Sequence, residues 1–282
     1  MLIFDRQVAL IEHLKPIYDS KTTIGFVPTM GALHEGHLSL IENSLKENSL
    51  TIVSIFVNPT QFNNPEDLEK YPKNLERDLE KLKSISNTVL IYAPNVKDIY
   101  EGKIISTHFD FDGLENQMEG KFRPGHFDGV GTIVKHLFEI VRPTNAYFGE
   151  KDFQQLQIIK KLVEKENLPI NIVTCPIFRE KNGLAMSSRN ERLLPTEREF
   201  AGLIYKTLLE VKTKFNSESI FEIKSWVEHV LENQIIFKLD YFEIADETTL
   251  LSCVEKTDSK KYRAFIAVFV NNIRLIDTIS LN

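Results

Sequence analysis

The sequence predicts an α/β protein whose larger N-terminal part is a doubly wound parallel sheet and whose smaller C-terminal part is an α+β domain. Two observations predict this fold class. Apolar, strand-like runs alternate with amphipathic helical stretches up to about residue 178, which is typical of a parallel sheet covered by helices. Beyond residue 190 two helical stretches follow one another, and strand-like segments then complete the chain.

The N-terminal part is expected to begin with a short strand and a helix. Further strands are expected at 22–27, 50–57, 88–94, 145–150 and 170–178, and further helices at 36–46, 66–82, 129–141 and 152–167. The run LTIVSIFV at 50–57 is apolar and rich in β-branched residues, as expected of a strand covered on both faces. Residues 1–178 are therefore predicted to form a Rossmann-like domain with ligands at the carboxyl ends of its strands.

The C-terminal part changes pattern. Helices are expected at 195–215 and 219–234, and strands at 239–246, 262–270 and 273–280. The last two strands are separated by Asn271 and Asn272, a plausible hairpin turn. Residues 179–282 are accordingly predicted to form a separate, smaller domain that closes over the site.

Composition and charge exclude several classes. The chain has 282 residues, 42% of them hydrophobic, and a net charge of −6, which argues against a nucleic-acid surface built on bulk positive charge. Cys175 and Cys253 form no CxxC pair, which favours a reducing compartment. Neither a signal peptide nor an apolar stretch of roughly 20 residues is visible in the sequence. We therefore expect a soluble, cytoplasmic protein without membrane or nucleic-acid partners.

The stretch VPTMGALHEGHLSLI places His34 and His37 directly after the strand at 22–27. The first turn of a helix presents unpaired N–H groups and a positive dipole end, which suits an anion. Two histidines there are able to stabilise phosphate charge. A metal site is less favoured, because HExxH has its histidines four apart and a third ligand is lacking. Two polar residues in a surface turn explain the spacing about as well, so both readings stay open.

The segment FVNPTQF follows the strand at 50–57 and carries Asn58 and Gln61. Each amide offers a donor and an acceptor, which suits recognition of hydroxyl and carboxylate groups. An Asn-Pro turn is common. Taken alone, this segment is therefore better explained as a turn.

The segment FGEKDFQQL joins an expected strand to an expected helix. Gly149 permits close backbone approach, Lys151 is able to bind phosphate, and Asp152 occupies the expected N-cap. Gln155 lies one turn into the helix. A solvated loop charge is an equally good explanation of Lys151 in isolation.

The segment GLAMSSRN lies near the expected domain boundary and carries Ser187, Ser188 and Arg189. Hydroxyl groups and an arginine in a mobile linker are able to wrap a triphosphate. A Ser-Ser-Arg turn alone carries little information. The functional interpretation depends on the co-occurrence of these segments at three strand ends and one interdomain loop.

These segments together resemble a known family. PTMGALHEGH resembles the HxGH signature of the nucleotidyltransferase superfamily, and MSSRN resembles its KMSKS-type loop. The wider set, which adds FVNPTQF, EDLEKYP, RPGHFDGVGTIV, FGEKDFQQL and NGLAMSSRN, resembles the pantoate–β-alanine ligases, or pantothenate synthetases. The likeness runs in order from about residue 20 to residue 195; the C-terminal part matches in layout but lacks a comparably sharp motif.

The resemblance implies ATP-dependent ligation of (R)-pantoate and β-alanine to pantothenate, in coenzyme A biosynthesis. Pantoate would first form a pantoyl adenylate with release of diphosphate, and the β-alanine amine would then displace AMP. The resemblance further implies ATP as a substrate, Mg²⁺ as a cofactor, and a homodimer formed through the N-terminal domain.

The resemblance also assigns site residues. Catalytic roles are implied for His34, His37 and Lys151. Implied ATP contacts are Met30, Gly31, Ala32, Leu33, His34, Glu35, Gly36, His37, Gly149, Glu150, Lys151, Asp152, Phe178, Met186, Ser187, Ser188 and Arg189. Implied pantoate contacts are Gln61 and Gln155, implied β-alanine contacts are Asn58 and Gln61, and the implied Mg²⁺ contact is Asp78. Further cleft candidates are Tyr71, Glu119 and Arg123.

Two expectations concern single residues. Family members often carry Met where this chain has Thr60, a change expected to alter packing beside pantoate without removing a polar contact. Adenylation needs no proton at the attacking carboxylate, so we predict that His37 stabilises phosphate charge rather than donating a proton.

Three alternatives remain at this stage. A different adenylyl- or cytidylyltransferase explains the HxGH and SSRN segments but not the two glutamines. A catalytically silent nucleotide-binding protein predicts loss of a charged phosphate contact, whereas His34, His37, Lys151 and Arg189 are all present. A zinc hydrolase lacks ligands.

Overall fold

The computed structural model describes residues 1–18, 21–100 and 103–282. It divides into two compact units. Unit 1 comprises Met1–Glu115, Gly120–Gly149 and Gln155–Cys175, and unit 2 comprises Asn116–Glu119, Glu150–Gln154 and Pro176–Asn282. The last residue of unit 1, Cys175, lies three residues before the domain boundary expected at 178. The assignment of functional domains to 1–178 and 179–282 stays a prediction.

In the described residues, unit 1 contains one six-stranded parallel sheet. Its strands are β1 (Leu2–Phe4), β2 (Ile24–Thr29), β3 (Leu50–Ile55), β4 (Leu90–Tyr92), β5 (Asn145–Gly149) and β6 (Asn171–Cys175). Their order across the sheet is β1-β4-β3-β2-β5-β6, and every pair is parallel. The predicted doubly wound sheet is thereby confirmed.

Eight α-helices lie within the described part of the first 165 residues. They are α1 (Gln7–Tyr18), α2 (Glu35–Glu47), α3 (Pro65–Glu69), α4 (Leu75–Ile85), α5 (Val96–Tyr100), α6 (Met118–Phe122), α7 (His126–Val141) and α8 (Phe153–Lys165). The single helix predicted over 66–82 is wrong, because the chain forms α3 and α4 there. Pro72 disfavours helical backbone at Tyr71, and the Asn74 side chain then caps α4 by accepting from Arg77 N at 3.0 Å.

The strand order fixes where a ligand site is expected. From β2 the chain moves outward through β3 to β4, and it later returns to place β5 on the other side of β2. The strand order therefore reverses between β2 and β5, and ligands of such sheets bind beside that point at the carboxyl ends. Thr29 and Gly149 are the last residues of these two strands.

Helix α2 packs closely on β2, which brings its first turn to this edge. A Cβ at Gly25 would lie 2.1 Å from Ser44 Oγ, so only glycine permits the approach. Ser44 Oγ is hydrogen-bonded to Thr51 Oγ1 on β3 at 2.8 Å. Helix α7 covers the opposite face, where Phe138 meets Phe26 edge to face at 6.3 Å.

Unit 2 is built on a three-stranded antiparallel sheet in the order β7-β8-β9. The strands are β7 (Phe237–Asp246), β8 (Tyr262–Val270) and β9 (Ile273–Ser280), and the helices beside them are α9 (Pro195–Phe200), α10 (Leu203–Lys214) and α11 (Ile220–Glu232). The strands predicted at 262–270 and 273–280 are confirmed, as is the α+β class of this part.

The single helix predicted over 195–215 is wrong. It is divided at Gly202, where a Cβ would lie 2.6 Å from the carbonyl oxygen of Asn182. The Asn182 side chain donates to the carbonyl groups of Arg198 at 2.8 Å and Glu199 at 3.3 Å. These bonds satisfy carbonyls at the end of α9, so the helix is able to stop there.

Across the described ranges, the helices are too short or too polar to cross a membrane.

Candidate active site

The loop after β2 is held by Asp78 of α4. Asp78 Oδ2 accepts from Ala32 N at 3.0 Å, and Asp78 Oδ1 accepts from Leu33 N at 2.7 Å. Gly31 and Ala32 both have positive φ, at 78° and 48°, a conformation that costs free energy for alanine. The two bonds to a buried carboxylate stabilise this turn, which leads directly into α2.

Burial raises the pKa of Asp78, although the N–H groups of Leu33 and Ala32 and the charge of Lys81 oppose the shift. Lys81 also donates to the carbonyl oxygen of Leu33. Asp78 therefore uses both carboxylate oxygens inside the protein. Each oxygen keeps a second lone pair, so the predicted contact of Asp78 with Mg²⁺ stays a prediction.

Helix α2 begins with the two predicted histidines. His34 is the N-cap residue, and its backbone N–H lies 3.4 Å from His37 Nδ1. The two half-buried rings stack with centroids 4.0 Å apart and planes inclined by 24°. Glu35 and Gly36 open the helix, so their N–H groups lack intrahelical acceptors. The structure thus brings two imidazoles and a helix N-terminus together beside the point where the strand order reverses, between β2 and β5.

The segment after β3 forms one 3₁₀ turn, Pro59–Gln61, organised by Asn58. Asn58 Nδ2 donates to Gln61 Oε1 at 3.1 Å and to the carbonyl oxygen of Gly129 at 3.2 Å. Asn58 Oδ1 accepts from Thr60 N at 3.4 Å, from Thr60 Oγ1 at 3.1 Å and from the Tyr100 hydroxyl at 2.5 Å. Asn58 is 1% exposed, so its amide is used within the protein and orients Gln61.

Gln61 contacts further residues through both its backbone and its side chain. Its backbone carbonyl accepts from Arg123 Nη2 at 3.1 Å and is 2.8 Å from His126 Nδ1. Its side-chain Nε2 lies 3.0 Å from Met30 Sδ. The predicted residues Met30 and Asn58 therefore both contact the Gln61 side chain, and Arg123, predicted as a cleft residue, donates to the backbone carbonyl of Gln61.

The segment after β5 is a 3₁₀ turn, Glu150–Asp152, that belongs to unit 2. Lys151 Nζ lies 3.2 Å from Asp152 Oδ1. Glu150 pairs with Arg263 of β8 at 3.7 Å, and the Arg263 guanidinium lies 4.0 Å from the ring centre of Phe153. Contacts with β8 therefore fix the turn that carries Lys151.

In unit 1, Gln155 lies half-buried on α8. Its assignment to pantoate stays a prediction.

The loop that carries Met186, Ser187, Ser188 and Arg189 starts as a short hairpin in unit 2. Met186 N donates to the carbonyl oxygen of Phe178 at 3.0 Å, so these two predicted ATP contacts are paired with each other. Ser187 Oγ accepts from Arg189 N at 3.2 Å and caps the following turn. The predicted phosphate-binding residues thus lie on one ordered segment.

Two ion pairs fix the base of this hairpin. Arg179 makes two bonds to the buried Asp277 of β9, at 2.6 and 3.0 Å, and its guanidinium lies 3.6 Å from the Tyr205 ring centre. Burial raises the pKa of Asp277, while Arg179 opposes the shift. Glu180 accepts two bonds from Arg198, at 2.7 and 2.8 Å.

Glu119, predicted as a cleft residue, is buried within unit 2. Its carboxylate accepts two bonds from Arg274, at 2.9 and 2.8 Å, and one from the Tyr241 hydroxyl at 2.9 Å. Its backbone N–H donates to Gln154 Oε1 at 2.9 Å. These contacts attach the segment that carries Glu119 to strands β7 and β9 of unit 2. Tyr71 is buried and packs edge to face on Phe62 at 5.7 Å.

Sequence reasoning missed several residues that support the site. They are Tyr100, His126, Arg179 and Asp277. His126 stands within the quoted segment RPGHFDGVGTIV, so its position was visible, but nothing local marks the others. The described ranges contain no cluster of three His, Cys, Asp or Glu side chains able to hold a metal ion.

This geometry defines a class of protein: an α/β protein with two histidines and a helix N-terminus where the strand order of a parallel sheet reverses. The comparisons identify the family. The model of the family described as pantoate-beta-alanine ligase matches residues 3–280. The pantothenate synthetase of Flavobacterium psychrophilum is 64% identical over 281 residues, with 100% of each chain covered. That of Christiangramia forsetii is 54% identical over 282 residues, again with 100% of each covered.

Solved structures agree. The pantothenate synthetase of Thermus thermophilus superposes with a TM-score of 0.90 at 37% identity, covering 100% of this chain and 99% of that one. The pantoate-beta-alanine ligase of Francisella tularensis, determined with β,γ-ATP and β-alanine, gives a TM-score of 0.80 at 36% identity, with 100% and 98% covered. The chain belongs to the pantoate–β-alanine ligase family. The resemblance is confirmed, and the alternative of a different nucleotidyltransferase is removed.

Proposed function

We propose that this protein condenses (R)-pantoate with β-alanine in an ATP-dependent reaction that yields pantothenate, AMP and diphosphate. The observation that carries the proposal is the stacked pair His34–His37 at the start of α2, beside the point where the strand order reverses. Two imidazoles and the N–H groups of a helix N-terminus at that position suit a polyphosphate. The full-length family match supports pantoate and β-alanine as the other substrates.

In the first half-reaction a pantoate carboxylate oxygen attacks the α-phosphorus of ATP. The bond from the α-phosphorus to the bridging oxygen breaks, and diphosphate leaves. Proposed ATP contacts in unit 1 are Met30, Gly31, Ala32, Leu33, His34, Glu35, Gly36, His37 and Gly149. Proposed ATP contacts in unit 2 are Glu150, Lys151, Asp152, Phe178, Met186, Ser187, Ser188 and Arg189. Catalysis of this step consists of positioning and neutralisation of phosphate charge.

His37 is suited to stabilising that charge. Its Nδ1 faces the backbone N–H of His34, so the proton of the neutral imidazole sits on Nε2. An N–H donor that faces a phosphate oxygen stabilises developing charge without transferring a proton. The attacking carboxylate carries no proton to remove.

In the second half-reaction the β-alanine amine attacks the acyl carbon of pantoyl adenylate, the acyl–oxygen bond breaks and AMP leaves. The amine loses one proton as the amide forms. Gln61 and Gln155 are the proposed pantoate contacts, and Gln61 also lies next to the proposed β-alanine position. Asn58 supports this site by orienting Gln61 rather than through a group directed at β-alanine.

Mg²⁺ is proposed as the counter-ion of ATP. Asp78 is the proposed protein contact: its two oxygens accept backbone N–H groups at 3.0 and 2.7 Å, and each keeps a second lone pair. In nucleotide sites Mg²⁺ commonly takes its ligands from one or two carboxylates, phosphate oxygens and water. Such an ion neutralises phosphate charge when bound.

The test is release of diphosphate and AMP from purified protein with ATP and Mg²⁺, adding pantoate and β-alanine separately and together. We expect sustained release only with both, in equal amounts of diphosphate and AMP, and one turnover of diphosphate with pantoate alone. Folded protein that binds ATP but releases nothing would refute the proposal and favour a silent nucleotide-binding protein.

The role of His37 has its own test. His37→Gln retains an N–H donor but not the imidazole. We expect slower adenylation, and we expect the pH profile of the adenylation rate to keep the same shape as in the wild-type protein. Near-normal adenylation would show that His37 is dispensable. Loss of a pH-dependent part of that profile in His37→Gln would indicate proton transfer by His37.

A cytoplasmic homodimer is also proposed. Apolar side chains are exposed on the edge strand β1 and on α1, including Leu2, Ile3 and Val8, and a second copy would cover them. Size-exclusion chromatography with light scattering should give twice the mass of one chain, and Ile3→Lys should reduce the measured mass.

A further inference from the structure

Tyr100, the last residue of α5, touches the segment that carries Gln61. Its hydroxyl lies 2.5 Å from Asn58 Oδ1 and 3.1 Å from Thr60 Oγ1. The ring is buried, and burial raises the pKa of Tyr100. The hydroxyl therefore keeps its proton at neutral pH and is able to donate it.

The neighbours of Asn58 fix which way its amide faces. Thr60 N is a backbone donor, so the group at 3.4 Å from it is the oxygen Oδ1. The Gly129 carbonyl only accepts, so the group at 3.2 Å from it is the nitrogen Nδ2. The Tyr100 hydroxyl strengthens this assignment by donating to Oδ1 over the shortest of these distances.

The orientation of Asn58 decides that of Gln61. Asn58 Nδ2 donates to Gln61 Oε1 at 3.1 Å, which turns the Gln61 nitrogen Nε2 away from Asn58. Nε2 lies 3.0 Å from Met30 Sδ, a weak acceptor that satisfies an N–H poorly. Gln61 thus offers N–H donors on the side of Met30, where an oxygen acceptor would be bound more strongly.

We propose that Tyr100 is a positioning residue for pantoate recognition: through Asn58 it holds the Gln61 amide so that an N–H faces a pantoate oxygen. The inference rests on the proposed function, because it names the substrate that the oriented amide meets. With the amide reversed, the Gln61 carbonyl would face a carboxylate oxygen, which only accepts, and would repel it. The hydroxyl of Tyr100 contacts no reacting atom in this scheme.

The variant Tyr100→Phe keeps the ring and removes the hydroxyl. We expect the KM for pantoate to rise about tenfold, the scale of one lost hydrogen bond, while the KM for ATP changes less than about twofold. Tyr147→Phe is the matched control. It removes the hydroxyl of another buried tyrosine, bonded to Glu47 at 2.7 Å and Asn48 at 2.6 Å rather than to Asn58. We expect no change in its KM for pantoate.

A double-mutant cycle separates positioning from general stability. If Tyr100 acts through Asn58, adding Tyr100→Phe to Asn58→Ser should leave the KM for pantoate as it is in Asn58→Ser alone. Additive effects in the cycle, or an unchanged KM in Tyr100→Phe, would refute the proposal. So would an equal rise in the KM values of all substrates.

A second variant keeps the proposal testable if Tyr100→Phe does not fold. Thr60→Val removes the other hydroxyl that donates to Asn58 Oδ1, at 3.1 Å, and should raise the KM for pantoate about threefold. No rise there would also refute the positioning role. Failure of the proposed function is distinguishable, because the wild-type protein itself would then release no AMP.

Discussion

Replacing Asp78 with Asn is the sharpest test of how the loop after β2 is built. The carboxylate accepts two backbone N–H groups, from Ala32 at 3.0 Å and from Leu33 at 2.7 Å. An asparagine side chain has one oxygen, so it accepts one of these groups and turns its own N–H₂ toward the other. Asp78→Asn therefore breaks one bond and leaves a buried donor facing a donor.

The magnitude follows from those bonds. Loss of one hydrogen bond to a charged group, with a buried N–H left unsatisfied, costs roughly 2 to 3 kcal/mol. The substitution also removes a buried charge, whose unfavourable burial raises the pKa of Asp78, and this offsets part of the loss. We expect the free energy of unfolding to fall by about 2 kcal/mol net at neutral pH.

The assay is urea unfolding of the ligand-free protein, followed by steady-state kinetics. Because Gly31 and Ala32 hold positive φ, a weakened loop should relax and misplace His34, raising the KM for ATP about tenfold. Glu80→Gln is the matched control. It makes the same charge change on an exposed position of α4 and should stay within about 0.5 kcal/mol of wild type.

A direct Mg²⁺ role for Asp78 predicts a different result. Ligand-free stability would then be unchanged or increased in Asp78→Asn, and only the Mg²⁺ concentration for half-maximal rate would rise. That outcome would refute the loop-holding role and favour Asp78 as a metal ligand.

Three further predictions use other positions. In Gly129→Ala the new Cβ would lie 2.4 Å from the carbonyl oxygen of Thr60, so we expect loss of about 2 kcal/mol in unfolding free energy and a raised KM for pantoate; an unchanged KM would contradict the role of that turn. In Gly149→Ala, no described heavy atom beyond its chain neighbours lies within 4 Å of the new Cβ. Stability should hold, and the KM for ATP should rise if ribose approaches there. Asp128 raises the pKa of His108 above its usual 6.5 by a hydrogen bond and by its charge. The His108–Asp128 pair should therefore stabilise the folded protein fully below pH 6.5, and this stabilisation should be lost as the pH rises through the pKa of His108 in the folded state. An NMR titration in which Asp128→Asn leaves the pKa of His108 unchanged would contradict this.

The fold was predictable wherever the apolar pattern is dominated by burial. The strand at 50–57 reads correctly because both of its faces are covered, and Ile52 and Val53 are fully buried. The helices at 66–82 and 195–215 read as continuous because their apolar spacing is preserved across the breaks. Pro72 carries a local signal that was overlooked. The break at Gly202 depends on Asn182, which sequence spacing does not reveal.

The candidate site was predictable in its residue types and less so in its contacts. His34, His37 and Gln61 stand at strand ends, where the topology itself brings polar groups to one edge. Asp78 reaches Ala32 across 46 positions of sequence, and Tyr100 reaches Asn58 across 42. No local pattern encodes such pairs, because they arise from how α4 and α5 pack in the finished fold.

The hydrogen-bonding capacity of each polar side chain predicts whether it contacts ligand or supports the site. Asn58 has two acceptor lone pairs and two N–H donors, and its oxygen and both donors are directed at protein groups. Asp78 likewise gives each oxygen to a backbone N–H. Gln61 spends its oxygen on Asn58 but gives its nitrogen only a thioether. A ligand oxygen would therefore improve the bonding of Gln61 but would have to displace protein bonds at Asn58, so we expect Gln61 to contact ligand and Asn58 to support it.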